Sequence, residues 1–253
     1  MSKTLIIPDI HQARNLDAVE EAVARERPTT TVFLGDYFDQ WDDTAEDAGR
    51  TAEWLKSSLD TPNRIHLFGN HDLSYAFPGM YCCPGFTEEK LNAISDHIAP
   101  DDWGKLVLTH WEGNFLMSHA GWSNFYAPTD GAPLRQFLVQ EVARAWDCFK
   151  AEKHHWIWAV GRMRGGDDLL GGLVWCDVRE FRVIAGINQI FGHTPTPGGV
   201  FKWGENSRNW CIDTVTRSFG VRHYAVIEGD RVSVRRIDGS PDPDWPDEER
   251  PLR

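Results

Sequence analysis

Thr31-Val-Phe-Leu-Gly-Asp36-Tyr-Phe-Asp39 is the segment from which the architecture of this chain is best predicted. It is an apolar run that stops at a glycine and is followed at once by two carboxylates. Such a run indicates a buried strand whose end carries polar side chains. The arrangement recurs on both sides, where residues 4–7 precede Asp9 and residues 65–68 precede Asn70. The sequence therefore predicts strands that each end in a polar cluster.

Helical stretches separate these strands, at residues 15–25 and 44–59, and a proline follows each of them. Strand, helix, strand, helix, strand predicts a parallel sheet with helices on its faces. Further strands are predicted at residues 105–109, 114–118, 189–191, 210–212 and 222–227. We expect one α/β domain over residues 1–238, with central mixed β-sheets flanked by helices. The Pro-rich and acidic residues 239–253 are predicted to form a flexible tail.

Three other segments have a less regular pattern. Residues 73–103 form an excursion that is rich in Pro, Gly and Cys and carries one predicted helix, at residues 88–97. Such excursions commonly shape the rim of a site. Residues 105–109 and 114–118 are predicted to pair as a hairpin, and residues 134–153 to form a helix. Residues 161–172 are rich in Gly and charge and are predicted to be a mobile loop.

The composition restricts the classes of partner. A net charge of -12 argues against a broad basic groove for nucleic acid, because the backbone phosphates are bound by Lys and Arg. No apolar run approaches the roughly 18 to 20 residues that span a bilayer. The five cysteines form no paired framework of the kind found in small secreted domains. We therefore expect a cytoplasmic protein with neither a membrane nor nucleic acid as its partner.

Each polar cluster follows a predicted strand, so the clusters can converge at one edge of a sheet. They contribute Asp9, His11, Asp36, Asp39, Asn70, His71, Asp72, His119 and His193. Carboxylate, imidazole and amide oxygen together suit Mn, Fe or Zn better than Ca or Mg. Asp9 and His11 are two residues apart, so in an extended segment both side chains point to the same side and can share one ion. Asp36 can bridge two cations, which places them roughly 3.5 to 4 Å apart.

The order of these motifs resembles that of the calcineurin-like metallophosphoesterases. The motifs are Asp9-Ile-His11, Gly35-Asp36-Tyr-Phe-Asp39, Gly69-Asn70-His71-Asp72, Ser118-His119-Ala-Gly and Gly192-His193-Thr. The chain is most similar to the phosphoprotein-phosphatase branch, which includes bacterial and phage phosphatases and symmetrical dinucleoside tetraphosphatases. Pro195 stands where nucleases and phosphodiesterases have a second histidine, which favours this branch. The likeness spans about residues 4–230.

The resemblance implies a set of roles. Asp9, His11 and Asp36 would hold a first divalent ion, with Mn the expected metal and Fe or Zn the alternatives. Asp36, Asn70, His119 and His193 would hold the second ion. A hydroxide held between the ions would attack phosphorus. The imidazolium of His71 would protonate the leaving oxygen, and Asp39 would hold its ring.

The sequence departs from the family pattern after Asp39, where Gln40-Trp41 stands in place of the usual Arg-Gly. An arginine that clamps the substrate phosphate is therefore missing from its usual position. Arg179, shortly after Trp175, is the first candidate to replace it, and Arg164 is the second.

We expect hydrolysis of a phosphomonoester on a phosphorylated protein or a small phosphorylated metabolite. One alternative is cleavage of a dinucleoside polyphosphate or a phosphodiester by the same metals. A second alternative is a metal-binding module that has lost turnover, which the missing arginine suggests. His71 and Asp39 argue against that module, because a protein kept only for binding has no need of an acid beside its metals.

Overall fold

Two five-stranded mixed sheets form the centre of the protein. The structure is a computed structural model, and it describes residues 2–12, 14–215, 220–242 and 245. The strands in these residues are β1 Lys3–Ile7, β2 Thr30–Phe33, β3 Arg64–His66, β4 Thr109–Glu112, β5 Phe115–Ser118, β6 Asn188–Phe191, β7 Val200–Gly204, β8 Ser207–Cys211, β9 His223–Glu228 and β10 Arg231–Arg236. The α-helices are α1 Leu16–Glu26, α2 Ala45–Leu59, α3 Asn70–Ala76, α4 Glu88–Ser95, α5 Pro100–Trp103 and α6 Leu134–Lys150.

Each sheet has a parallel centre with antiparallel strands at one or both edges. The first sheet has the order β10-β9-β1-β2-β3, in which β1, β2 and β3 are parallel. The second has the order β4-β5-β6-β8-β7, in which β5, β6 and β8 are parallel. The carboxyl ends of parallel strands lie at one edge of a sheet. Residues that follow β1, β2, β3, β5 and β6 are therefore brought together, as the α/β class with mixed sheets predicts.

The core alternates along the strands with the period of two that a strand imposes. In β1, Ile6 packs between the two sheets with Met117 and Ile190 of the second sheet. Its neighbours Leu5 and Ile7 belong to a different cluster. That cluster also contains Val19 and Ala22 of α1 and Leu55 of α2. The first sheet is therefore covered by helices on one side and by the second sheet on the other.

The position predicted for one hairpin strand is wrong. The strand expected at residues 105–109 is β4, Thr109–Glu112, and it pairs with β5 in the register Thr109↔Ser118. The turn is at Gly113, which has a φ of 54°. The apolar residues within 105–109 have another role, since Leu106 and Leu108 are buried in the core. Val107, between them, forms only an isolated bridge, with Leu67.

Several elements were not predicted. Strands β7 and β10 lie at sheet edges, and helix α3 begins at Asn70, within a motif that was expected to be a loop. The excursion at 73–103 carries the predicted helix as α4 and also contains α5. The Gly-rich segment 161–172 contains a short 3-10 helix, Arg162–Arg164. Its mobility stays a prediction.

The predicted tail is described only in part. Residues 239–242 and Trp245 are described, and the other residues of 239–253 lie outside the described part of the chain. Trp245 is buried against the cluster between the sheets. The single domain at 1–238 and the flexible tail stay predictions. No helix among the described residues is long and apolar enough to cross a membrane.

Candidate functional site

Six polar side chains meet where the loops leave the carboxyl ends of β1, β2, β3, β5 and β6. They are Asp9, His11, Asp36, Asn70, His119 and His193. All of them are buried except His11, which is partly exposed. Their potential ligand atoms form two groups, and within each group the atoms lie within 4.8 Å of one another. The two groups have Asp36 in common.

The first group consists of Asp9, His11 and Asp36. The Nε2 atom of His11 lies 3.5 Å from Oδ2 of Asp36. On the other side of the ring, Nδ1 lies 3.1 Å from the carbonyl oxygen of Phe38 and 2.8 Å from that of Asp39. A carbonyl only accepts, so Nδ1 is the donor and Nε2 of the neutral ring keeps its lone pair. This tautomer suits a metal ligand that binds through Nε2.

The second group consists of Asp36, His119 and His193, with Asn70 beside it. Nδ1 of His119 donates to the carbonyl of Leu34 at 2.9 Å. Its Nε2 atom faces Oδ2 of Asp36 at 3.3 Å. The same Nε2 lies 3.1 Å from both Oδ1 of Asn70 and Nδ1 of His193. Potential ligand atoms therefore gather around Nε2 of His119, and a cation that displaced a proton from this ring would suit such a set.

Cys83 fixes the orientation of the Asn70 side-chain amide. Its Nδ2 donates to the sulfur of Cys83 at 3.6 Å, which leaves Oδ1 on the side of His119. The Cys83 thiol in turn donates to the backbone carbonyl of Asn70 at 3.0 Å. The adjacent Cys82 is exposed, and both cysteines are free.

Glycines allow the strand-ending loops to touch. A Cβ on Gly69 would lie 2.1 Å from Oδ1 of Asp36, and a Cβ on Gly192 would lie 1.9 Å from Oδ2 of Asp9. Neither position tolerates a side chain without moving a candidate ligand. Asp36 and His193 also have positive φ angles, of 49° and 69°. Such angles are uncommon for residues other than glycine, and they concentrate where a site demands a particular geometry.

Asp72 organises the backbone beneath the site. Its carboxylate accepts N–H groups from Asp36, Tyr37 and Gly69, each at 2.8 Å. The sequence places Asp72 in the cluster but indicates no role for it. In the structure, its buried carboxylate links the loop after β2 to the start of α3. None of these hydrogen bonds involves a candidate ligand atom.

The site contains buried carboxylates whose negative charge would favour the binding of cations. Burial raises the pKa of Asp9 to about 7. Burial opposes the charge of His119, yet the carboxylates of Asp36 and Asp9 raise its pKa to about 9. In the chain alone, a proton on His119 thus balances the buried carboxylates. A divalent ion would displace this proton and neutralise the carboxylates with two positive charges instead of one.

His71 lies next to these six side chains, with its ring 5.3 Å from that of His11 between centroids, and belongs to neither group of ligand atoms. Its Nδ1 donates to Oδ2 of Asp39 at 2.9 Å, and its backbone N–H donates to Oδ1 of Asp36. Burial opposes its positive charge, but Asp36 and Asp39 outweigh this and raise its pKa. The charged form of the ring is therefore favoured beside the candidate metal ligands.

Two residues that hold Asp39 were not found from the sequence. The hydroxyl of Tyr75 donates to Oδ1 of Asp39, and the Nζ atom of Lys90 lies 2.9 Å from the same oxygen. Both come from the excursion at 73–103. Nothing in the Thr-Glu-Glu-Lys pattern around Lys90 distinguishes it from an exposed lysine in a first helical turn.

The two candidate arginines differ in where their guanidinium groups lie. Arg179 forms two hydrogen bonds with Asp177, at 2.7 and 2.8 Å, and its side chain is 64% exposed. Arg164 is 25% exposed and lies 3.1 Å from Asp177. It also donates to the carbonyl of His193 and the hydroxyl of Thr194, at 3.2 and 3.0 Å. Arg164 is therefore directly linked to a candidate ligand residue.

An aromatic pair from separate segments lines the side of the site at His193. The ring of Trp175 lies edge-on to His193, with centroids 5.8 Å apart. Its Nε1 donates to the hydroxyl of Tyr81 at 2.9 Å, and the two rings are stacked. Because Tyr81 belongs to the excursion at 73–103, this segment lies beside the site, as the sequence predicts.

Comparisons with known proteins agree with this geometry. A family model described as calcineurin-like phosphoesterase matches residues 2–207. The fold is similar to that of a cold-active protein-tyrosine phosphatase of a psychrophilic Shewanella species, with a TM-score of 0.59, 12% identity, and coverage of 95% of this chain and 79% of that chain. It is also similar to a putative diadenosine tetraphosphatase, with a TM-score of 0.52, 17% identity, and coverage of 93% of each chain. Identities this low establish a likeness of fold alone. No curated protein matches the sequence.

The family match covers most of the chain and contains all six of the side chains that converge. The order of motifs, the two mixed sheets and the two ligand groups agree with it. The protein is a member of the calcineurin-like phosphoesterase family, whose enzymes hydrolyse phosphate esters with the help of divalent metals.

Proposed function

We propose that this protein is a phosphatase that hydrolyses phosphomonoesters with two divalent ions. The observation that carries the proposal is the position of Asp36, which belongs to both groups of ligand atoms. Nε2 of His11 and Nε2 of His119 both face Oδ2 of this carboxylate, at 3.5 and 3.3 Å, so Asp36 would serve both ions. Two ions held together in this way would stabilise the attacking and leaving oxygens of an in-line displacement at phosphorus.

Asp9, His11 and Asp36 would hold the first ion, and Asp36, Asn70, His119 and His193 would hold the second. Two ions held in this way supply a nucleophile at neutral pH and neutralise charge on the phosphoryl oxygens. The mixed oxygen and nitrogen ligands suit Mn, Fe or Zn, because hard ions such as Mg and Ca bind mostly oxygen. Among the three metals we propose Mn, with Fe and Zn as the alternatives.

His71 would donate its proton to the oxygen that leaves phosphorus. Its Nδ1 is occupied by Asp39, so Nε2 is the atom available to the substrate. Asp39 holds the ring in one orientation and favours its charged form. An acid placed in this way matters most for a leaving group that cannot depart as an anion, such as the serine hydroxyl of a phosphoprotein or the alcohol of a sugar phosphate.

Recognition of the phosphate requires positive charge other than that of the metals. Arg164 and Arg179 remain the candidates, and the contact of Arg164 with the His193 carbonyl favours it. The substrate would be a phosphorylated protein or a small phosphorylated metabolite. The five free cysteines are compatible with the reducing cytoplasm, which is the compartment we propose.

The experiment is a substrate screen with the Mn-loaded protein and, as its control, the same protein treated with a chelator. We expect hydrolysis of p-nitrophenyl phosphate and phosphoserine peptides, inhibition by inorganic phosphate, and no activity after chelation. Faster cleavage of dinucleoside polyphosphates or of bis-p-nitrophenyl phosphate than of any monoester would favour the alternative activity. No turnover by a fully loaded protein would favour a binding module.

A further inference from the structure

Lys90 is a buried cation whose ammonium group has four close oxygen partners. Its Nζ atom lies 2.9 Å from Oδ1 of Asp39, 2.8 Å from each carboxylate oxygen of Asp43 and 2.7 Å from the carbonyl of Gly85. The residue is only 5% exposed. Lysine is rarely buried unless it is paired, because removing its charge from water is costly. The four oxygen atoms around Lys90 compensate for the burial of its charge.

The contact with Lys90 limits how the Asp39 carboxylate can turn. One oxygen, Oδ1, accepts from both Lys90 and the hydroxyl of Tyr75. The other, Oδ2, is left to accept from Nδ1 of His71. Rotation of the carboxylate would break the contacts of Oδ1, so the plane of the group is fixed, and with it the direction in which the His71 ring is held.

Lys90 is itself placed by the start of α4. The side chain of Thr87 caps this helix by accepting the backbone N–H of Lys90 at 3.2 Å. The loop that leads into the helix touches Asp39 as well, since a Cβ on Gly85 would lie 2.9 Å from the Cβ of Asp39. With a φ of 100°, Gly85 also has a backbone conformation that favours glycine. The excursion thus holds the ammonium group of Lys90 in contact with Asp39, the partner of the proposed acid His71.

We infer that Lys90 is a positioning residue for the acid His71, which it controls through Asp39. This inference rests on the proposed phosphatase function. The four partners of the ammonium group belong to Asp39, Asp43 and Gly85, none of which is a candidate metal ligand. Lys90 is therefore expected to influence proton donation to the leaving oxygen while leaving metal binding intact.

The first test replaces the ammonium group with an apolar chain of similar length, as Lys90→Met. We expect kcat for an alkyl phosphate, such as a phosphoserine peptide, to fall by about tenfold or more, with unchanged metal content. For p-nitrophenyl phosphate the loss should be smaller, because p-nitrophenolate departs readily without a proton. An equal loss for both substrates would indicate a general disturbance of the site and overturn the inference.

The second test is a double-mutant cycle with His71→Asn. If Lys90 acts through His71, Lys90→Met should cause no further loss of kcat once the acid is absent. The same fold loss in both backgrounds would overturn the inference. Lys105→Met is the matched control, because Lys105 pairs with Asp60 and Asp102 and its side chain is 41% exposed. This control should keep wild-type kcat.

Loss of Lys90 leaves two buried carboxylates without their cation, so the single variant could be unstable. The double variant Lys90→Met/Asp43→Asn removes one of those charges and should restore folding without restoring the contact with Asp39. It should therefore keep the selective loss for alkyl phosphates, and a return to wild-type kcat would overturn the inference. If the wild-type protein hydrolysed no phosphate ester, the proposed function would fail first. Failure of this inference alone would leave an active wild type whose Lys90 variants show no selective loss for alkyl phosphates.

Discussion

The Nε2 atom of His119 lies 3.3 Å from Oδ2 of Asp36, and the opposite nitrogen of the ring is bound to the carbonyl of Leu34. In the metal-free chain Nε2 of His119 therefore carries a proton toward this carboxylate, which also faces His11 at 3.5 Å. Two histidines, one from the loop after β1 and one from the loop after β5, thus approach the same oxygen atom.

Asp36→Asn should lower metal occupancy at both sites. The substitution keeps the shape of the side chain but removes the charge that both ions would share. The measurement is metal content per chain after dialysis against a fixed concentration of Mn. Asp102→Asn is the control, because Asp102 is a buried carboxylate that pairs with Lys56 and Lys105. Occupancy equal to that of wild type would remove Asp36 from its bridging role.

His71→Asn should keep both metals and slow the turnover of alkyl phosphates by roughly 100-fold or more. The reason is that His71 is proposed to donate a proton and is not proposed to bind metal. Steady-state kinetics and metal content should be measured on the same preparation. A variant that loses metal would show that the role of His71 is misassigned.

Arg164→Ala should raise the inhibition constant for inorganic phosphate more than Arg179→Ala does. Arg164 is the less exposed of the two and contacts His193 and Thr194. Arg179 is bound by Asp177 through two hydrogen bonds and is mostly exposed. The two variants remove the same charge and so control for each other. A larger effect at Arg179 would restore it as the first candidate.

The stabilisation by metal should increase with pH. His119 has a pKa of about 9 in the metal-free fold, above its ordinary value of 6.5. Its contribution to stability is therefore complete below 6.5 and is lost as the pH rises through about 9. A metal ion must displace that proton, so binding becomes easier over the same range. Thermal unfolding with chelator and with metal, at pH about 7 and about 8.5, should show a difference in Tm that widens at the higher pH. A constant or narrowing difference would contradict this.

The clustering of the polar residues could be predicted because each follows a strand within a few residues, whereas the choice of six candidate ligands among them came from the family resemblance. The residues that hold Asp39 could not be predicted in this way. Tyr75 and Lys90 reach Asp39 across separations of 36 and 51 residues. Pairings over such distances depend on how α3 and α4 pack. The role of Asp72 was missed for a similar reason, because its partners are backbone N–H groups that the residue types do not reveal.

Among the strands, the errors also have physical causes. An apolar run such as residues 106–108 indicates burial, and Leu106 and Leu108 are buried although Val107 is exposed. Burial of side chains in the core does not require pairing in a sheet. The edge strand β10, Arg231-Val-Ser-Val-Arg-Arg, is instead polar and charged, and Val232 is its one buried residue. Its pairing with β9 is what makes it a strand, and a short polar sequence gives little sign of that.

The position of metal in crystals of the Mn-loaded protein, located by anomalous scattering, would test the proposed two-ion site. Such a site should give two peaks roughly 3.5 to 4 Å apart, with the carboxylate of Asp36 between them. Asn70, His119 and His193 should surround one peak, and Asp9 and His11 the other. A single peak, or two peaks that do not share Asp36, would contradict it.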